Sequence, residues 1–207
     1  EDYEYSNPYP FDKYYALYSE SGFLGRYYSN GKMYFFMDFP ATQEYLPHSY
    51  GLEANMMLGV SDDGVNYKFK NLMGYLKLSV TGDKVIRSIE LSGNNNENLS
   101  GEYYFNMSDV YNLYLYQEGT GTLTLDCGED GVPLSDQPTD FYFVVPPTSF
   151  EKGISVNITF TDGSMYPQST TNPVDILRNT IQPMGTISTS DVVWQTVMIQ
   201  HSADSFS

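Results

Sequence analysis

Apolar and polar residues alternate at period two along much of this chain, and no long stretch follows the period of a helix. KMYFFMDF (32–39) places Met33, Phe35, Met37 and Phe39 on one face. ANMMLGVS (54–61) and NYKFKNL (66–72) lie either side of the turn SDDGVN. YLKLSVTG (75–82) turns Leu76, Leu78 and Val80 inward and Lys77, Ser79 and Thr81 outward. Gly82-Asp83 then makes a turn, and VIRSIELSG (85–93) returns. YNLYLYQ (111–117) and GTLTLDCG (121–128) read as a pair joined through Glu118-Gly119-Thr120. In DFYFVVPPTSFEKGISVNITFTDG (140–163), Phe141, Phe143 and Val145 alternate with Tyr142 and Val144. After a turn, Val156, Ile158 and Phe160 alternate with hydroxyl and amide residues. PVDILRNTIQPM (173–184) and DVVWQTVMIQ (191–200) follow. Pro and Gly recur too often for helices of ordinary length. Roughly ten short strands separated by turn signals predict an all-β sandwich. The spacing is too irregular for a propeller or solenoid.

Composition sharpens this picture. A chain of 207 residues can form one large or two small domains with a real core. Charged residues make up only 17%, so Ser, Thr, Asn, Gln and Tyr must supply much of the polar surface. The 20 Tyr and 12 Phe favour strands. A net charge of −16 argues against nucleic acid and against anionic membrane surfaces. Its simplest use is solubility, with calcium binding or ligand steering as the other uses. Cys127, the one cysteine, excludes an internal disulfide. It follows Leu123 and Leu125 at period two and reads as a small core residue, not a nucleophile. No run approaches the roughly 20 apolar residues of a membrane helix. A start at Glu1 leaves open a removed targeting segment or a fragment.

Candidate chemistry is sparse. His48 and His201 sit at opposite ends of the sequence, and no pair of histidines has metal-ligand spacing. There is no GxSxG elbow, HExxH helix or Walker A loop. SDDGVN (61–66) and DCGEDG (126–131) resemble fragments of calcium loops but lack the twelve-residue ligand pattern, so both read as acidic turns. No particular carboxylate pair suggests glycoside hydrolysis. The expectation is a non-enzyme with no catalytic, cofactor-binding or metal-ligating residues. Two tyrosine-rich runs, 3–18 and 101–116, could present rings for stacking on sugars. The simpler reading is that the rings fill a sandwich core and its edges. The triplets at Asn98, Asn106 and Asn157 would matter only in a eukaryotic secretory pathway and read as chance matches.

Several segments taken in order resemble the fimbrillin-like proteins of Bacteroides-type bacteria. They are DFPATQEYLPHSYGLEANMMLGVSDDG (38–64), YKFKNLMGYLKLSVTGDKVIRSIELSGNNNENLSGEYYF (67–105), DFYFVVPPTSFEKGISVNITFTDG (140–163) and ILRNTIQPM (176–184). The motifs that carry the resemblance are P-x-x-Q-x-Y, F-K-N-x-x-G-x-L-K, I-x-S-I-x-L-x-G, V-P-P-x-x-F-x-x-G and R-N-x-I-x-P-M. The resemblance implies two tandem transthyretin-like β-sandwich domains, here 1–64 and 65–187, the first short or truncated, followed by a tail at 188–207. It also implies export to the cell surface or outer membrane, often as a lipoprotein. The role it implies is that of a fimbrial subunit or adhesin working by β-strand pairing. The partners would be other fimbrial subunits, the protein itself, or host or bacterial surface ligands. No nucleic acid is implied, and a membrane enters only through a lipid anchor.

The tail TISTSDVVWQTVMIQHSADSFS (186–207) carries apolar residues on both strand faces. It reads as the last strand of the second sandwich or as a donor strand, with Trp194, Val197 and Ile199 as the pocket-filling residues. The alternative function is a carbohydrate-binding surface lipoprotein of a glycan-uptake system, which requires exposed, coplanar Tyr rings beside amide side chains.

Overall fold

A computed structural model of the protein describes residues 13–20, 22–106 and 109–190. Its strands are β1 (Tyr14–Ser19), β2 (Phe23–Ser29), β3 (Lys32–Phe39), β4 (Thr42–Glu44), β5 (Met56–Ser61), β6 (Lys68–Asn71), β7 (Gly74–Thr81), β8 (Val85–Gly93) and β9 (Gly101–Asn106). They continue as β10 (Asp109–Glu118), β11 (Thr122–Asp126), β12 (Val132–Pro133), β13 (Thr139–Val145), β14 (Thr148–Phe150), β15 (Ile154–Phe160), β16 (Met165–Ser169), β17 (Val174–Ile176) and β18 (Ile181–Ser188). Among the described residues the one helical element is a 3-10 turn at Leu52–Ala54. The all-β expectation holds.

The strands form a sandwich. One layer has the order β16-β15-β8-β11-β4, with β12 also on β8. Ile154, Val156, Ile158 and Phe160 of β15 and Ile89 and Leu91 of β8 turn inward. Facing them is β13-β7-β18, which contributes Phe141, Phe143, Leu76, Leu78 and Val80. Two further sheets, β1-β5-β6 and β10-β9-β3-β2, extend the same buried cluster through Met56, Leu58, Met37, Phe39 and Phe105. Burying each large side chain stabilises the fold by about 1.5–3 kcal/mol. Three of the sheets draw strands from both sides of position 64: β5 pairs with β6, β3 with β9, and β4 with β11.

Residue-level expectations hold in most strands. Met33, Met37 and Phe39 are buried and Phe35 half-buried on one face of β3. Ile86 and Ile89 of β8 are both buried although three residues apart. A bulge explains this, because Thr159 pairs with Ser88 but Phe160 pairs with Ile86, leaving Arg87 over.

Two expected pairings are not made. β10 pairs with β9 and β11 with β8, so 111–117 and 121–128 do not form a hairpin. The linker is held instead by residues 99 and 100: the Leu99 and Ser100 N–H groups donate to the Thr120 carbonyl, and Gly119 N–H donates to Ser100. Those bonds carry the chain from one sheet to another. Likewise β8 does not return along β7, since the two lie in opposite layers. The Gly82-Asp83 turn crosses the sandwich.

Candidate binding surface

The residues that carry the family-like motifs are joints of the sandwich. Gln43 is fully buried in β4. Its Nε2 donates to the Val144 carbonyl at 2.8 Å, and Val144 N–H donates to its Oε1 at 2.9 Å. One side-chain amide thus stands in for a strand neighbour and closes one lateral side of the sandwich. Tyr45 packs its ring on Phe141 at 5.1 Å beside it. Gly153 adopts φ +78°, and a Cβ there would lie 1.9 Å from the Thr170 carbonyl oxygen, so only glycine fits. Asn179 sits at φ +57° and accepts from Asn71 N–H through Oδ1 at 3.0 Å.

The opposite lateral side is different. β16 and β18 approach there without pairing. Tyr166 donates to the Ser188 carbonyl at 3.0 Å and bridges them. Beside this bridge lies a groove of about 210 Å³ whose lining includes Leu78, Ile154, Val156, Met184 and Ile187.

Exposed strand edges invite pairing unless something blocks them. β6 carries Lys68 and Lys70, β16 carries Pro167, and β18 carries Pro183 and a register shift before Thr186. β1 (YYALYS) is different: it has six residues, no charge and no proline. Among the described residues it pairs only with β5. Tyr15 and Leu17 pack on the core, while Tyr14 (57% exposed) and Tyr18 (42%) point to water.

The tyrosine-rich runs divide between packing and exposure. Tyr103 is buried, with its hydroxyl pushed up in pKa by burial. On the outer face of β10-β9-β3-β2, Tyr34, Phe36, Tyr104, Tyr114 and Tyr116 touch ring to ring. Tyr114 Oη donates to Asp109 Oδ2 at 2.7 Å, and Asn112 Nδ2 lies 2.9 Å from the same oxygen. These bonds, Tyr114's first, lower the Asp109 pKa, and the carboxylate in turn raises that of Tyr114.

In each acidic turn one carboxylate folds back onto the turn's own backbone. Asp63 accepts the Asn66 N–H at 2.8 Å, the Asn66 side-chain amide at 2.7 Å and the Val65 N–H at 2.9 Å, which holds its carboxyl well below the ordinary range. Asp126 Oδ1 accepts Gly128 N–H at 2.9 Å. Among the described residues no three His, Cys, Asp or Glu side chains are grouped to hold a metal ion. Cys127 packs against the core, and burial first, then Asp126, push its thiol up to about 12. His48 lies in an exposed turn at φ +60°. Trp194, Val197, Ile199 and His201 lie outside the described residues.

No protein-family model matches the chain, and no curated protein matches it. Solved structures to which the chain is similar include three proposed cell adhesion proteins of Bacteroides. The one from Bacteroides ovatus has 11% identity and a TM-score of 0.49 over 80% of this chain. Those from Bacteroides uniformis and Bacteroides fragilis have 11% identity each, with TM-scores of 0.43 and 0.40, each over 76% of the chain. The chain spans 65%, 68% and 60% of the three structures.

Proposed function

We propose that this protein is a cell-surface adhesin of the fimbrillin-like kind, which binds a partner chain by adding its β1 edge to the partner's strand. One observation carries this reading: β1 is uncharged and free of proline, whereas β6, β16 and β18 carry lysine or proline. Proteins commonly block edges that must stay unpaired. An edge without lysine or proline suits β-augmentation, in which main-chain hydrogen bonds supply affinity and alternate side chains supply specificity. Tyr14 and Tyr18, two strand steps apart on either side of Ala16, would be those side chains.

The test is the double variant Tyr14→Lys/Tyr18→Lys, compared with the parent on the cell surface by cross-linking and in solution by sedimentation. Both side chains are exposed, so the melting temperature should stay within about 2 °C of the parent. Partner-linked species should fall at least fivefold. Unchanged cross-linking in a folded variant would overturn the reading.

A further inference from the structure

The outer face of β10-β9-β3-β2 carries a row of rings that β1 pairing does not use. The row runs across three strands. Tyr34 of β3 lies 5.9 Å from Tyr104 of β9, and Tyr104 stacks on Tyr114 of β10 at 5.3 Å with 23° between planes. Phe36 meets Tyr116 edge to face at 5.0 Å. β10 is the edge strand, so among the described residues no strand lies beyond it. The row therefore ends in water, with Tyr114 39% and Tyr116 63% exposed.

We propose that this face is a saccharide-binding platform for a neutral polysaccharide, with Tyr114 and Tyr116 as stacking rings and Asn112 and Asp109 as hydroxyl-binding groups. Three features select that occupant. Aromatic rings suit the C–H faces of a sugar, which are apolar and flat. Beside them Asp109, Asn112 and the Tyr114 hydroxyl form a cluster that can exchange hydrogen bonds with sugar hydroxyls. Charge decides the rest. Asp38 and Glu102 stand directly opposite each other on this face, at period two from Phe36 and Tyr104. A glycan bearing carboxylates or sulfates would meet these charges and that of Asp109, which the single cation Lys32 of β3 offsets only in part. A second protein surface would have to desolvate them, against the usual depletion of charge at interface cores. A neutral sugar does neither, because its own hydroxyls can donate to carboxylates that stay wet at the rim.

The experiment is native electrophoresis of the full chain through gels cast with xyloglucan, galactomannan or amylopectin, with polygalacturonate as the anionic control. At least one neutral gel should retard the protein, and polygalacturonate should not. Tyr114→Ala and Tyr116→Ala should each weaken retardation about tenfold, as expected for loss of one stacking ring. Tyr116→Trp, which keeps a ring, should retain it and guards against a misfolded alanine variant. The β1 lysine variant should bind as the parent does, which separates this site from strand pairing. Absence of retardation in all neutral gels would overturn the proposal. So would retardation indifferent to both alanine variants, or alanine variants that change only the sedimentation behaviour, which would indicate a second copy on this face.

Discussion

Replacing Gln43 by methionine tests the idea that one side chain seals a whole lateral side of the sandwich. Methionine nearly matches glutamine in length and volume, so little cavity is created. What disappears is the pair of bonds to Val144, at 2.8 and 2.9 Å. Val144 is itself fully buried, so its N–H and carbonyl would be left without partners and away from water. Each such group costs roughly 1–3 kcal/mol, so the loss should be about 2–6 kcal/mol. With a urea slope of about 2 kcal/mol/M for a chain of this size, the midpoint should fall by about 1–3 M. The Val144 amide should also lose most of its hydrogen-exchange protection, while Ile89 in the centre of β8 keeps its own. Gln43→Glu should be at least as harmful, because it can accept from Val144 N–H but sets a carboxylate against the Val144 carbonyl. A midpoint shift below about 0.4 M for Gln43→Met, corresponding to less than 1 kcal/mol, would refute the reasoning.

Tyr75→Phe removes the buried bond from the Tyr75 hydroxyl to Asn55 Oδ1 (2.8 Å) and should cost about 1–2 kcal/mol, read by thermal denaturation. Gly153→Ala must adopt φ +78° and push against the Thr170 carbonyl, so a loss of about 2 kcal/mol or more is expected, or failure to fold. Asp162 is held at about 2, against an ordinary 3.8, by the Ser164 hydroxyl and N–H and by Lys84. Its pKa is lower folded than unfolded, so its contribution is present above pH 4 and lost as the pH falls from about 4 to 2. The melting-temperature gap between parent and Asp162→Asn should therefore close over that window and be unchanged between pH 5 and 7.

The strands were largely legible, because alternation is a local property of the chain. Leu76, Leu78 and Val80 are buried as their spacing predicts, and so are Val156, Ile158 and Phe160. The acidic turns were legible too, since Asp63 and Asp126 bond to N–H groups within three residues of themselves. Pairing was less so. A turn between two strands reads the same whether it joins neighbours in one sheet or crosses between sheets. Only long-range bonds, such as those of residues 99 and 100 to Thr120, decide between them.

The candidate surfaces were hidden for a similar reason. Tyrosines at 103, 104, 114 and 116 look alike in sequence, yet Tyr103 is buried while Tyr114 and Tyr116 stand in water. A ring is covered or free according to which face of which sheet it joins. Gln43 is the sharpest case: no local pattern shows that a glutamine will be buried against a backbone 101 residues away. The sequence by itself determined the β class, the inward faces of the central strands and the acidic, charge-poor surface, because each follows from neighbours along the chain. The tertiary structure alone decided which strands pair, which rings align and which polar group closes the sandwich, because each depends on segments that meet only after folding.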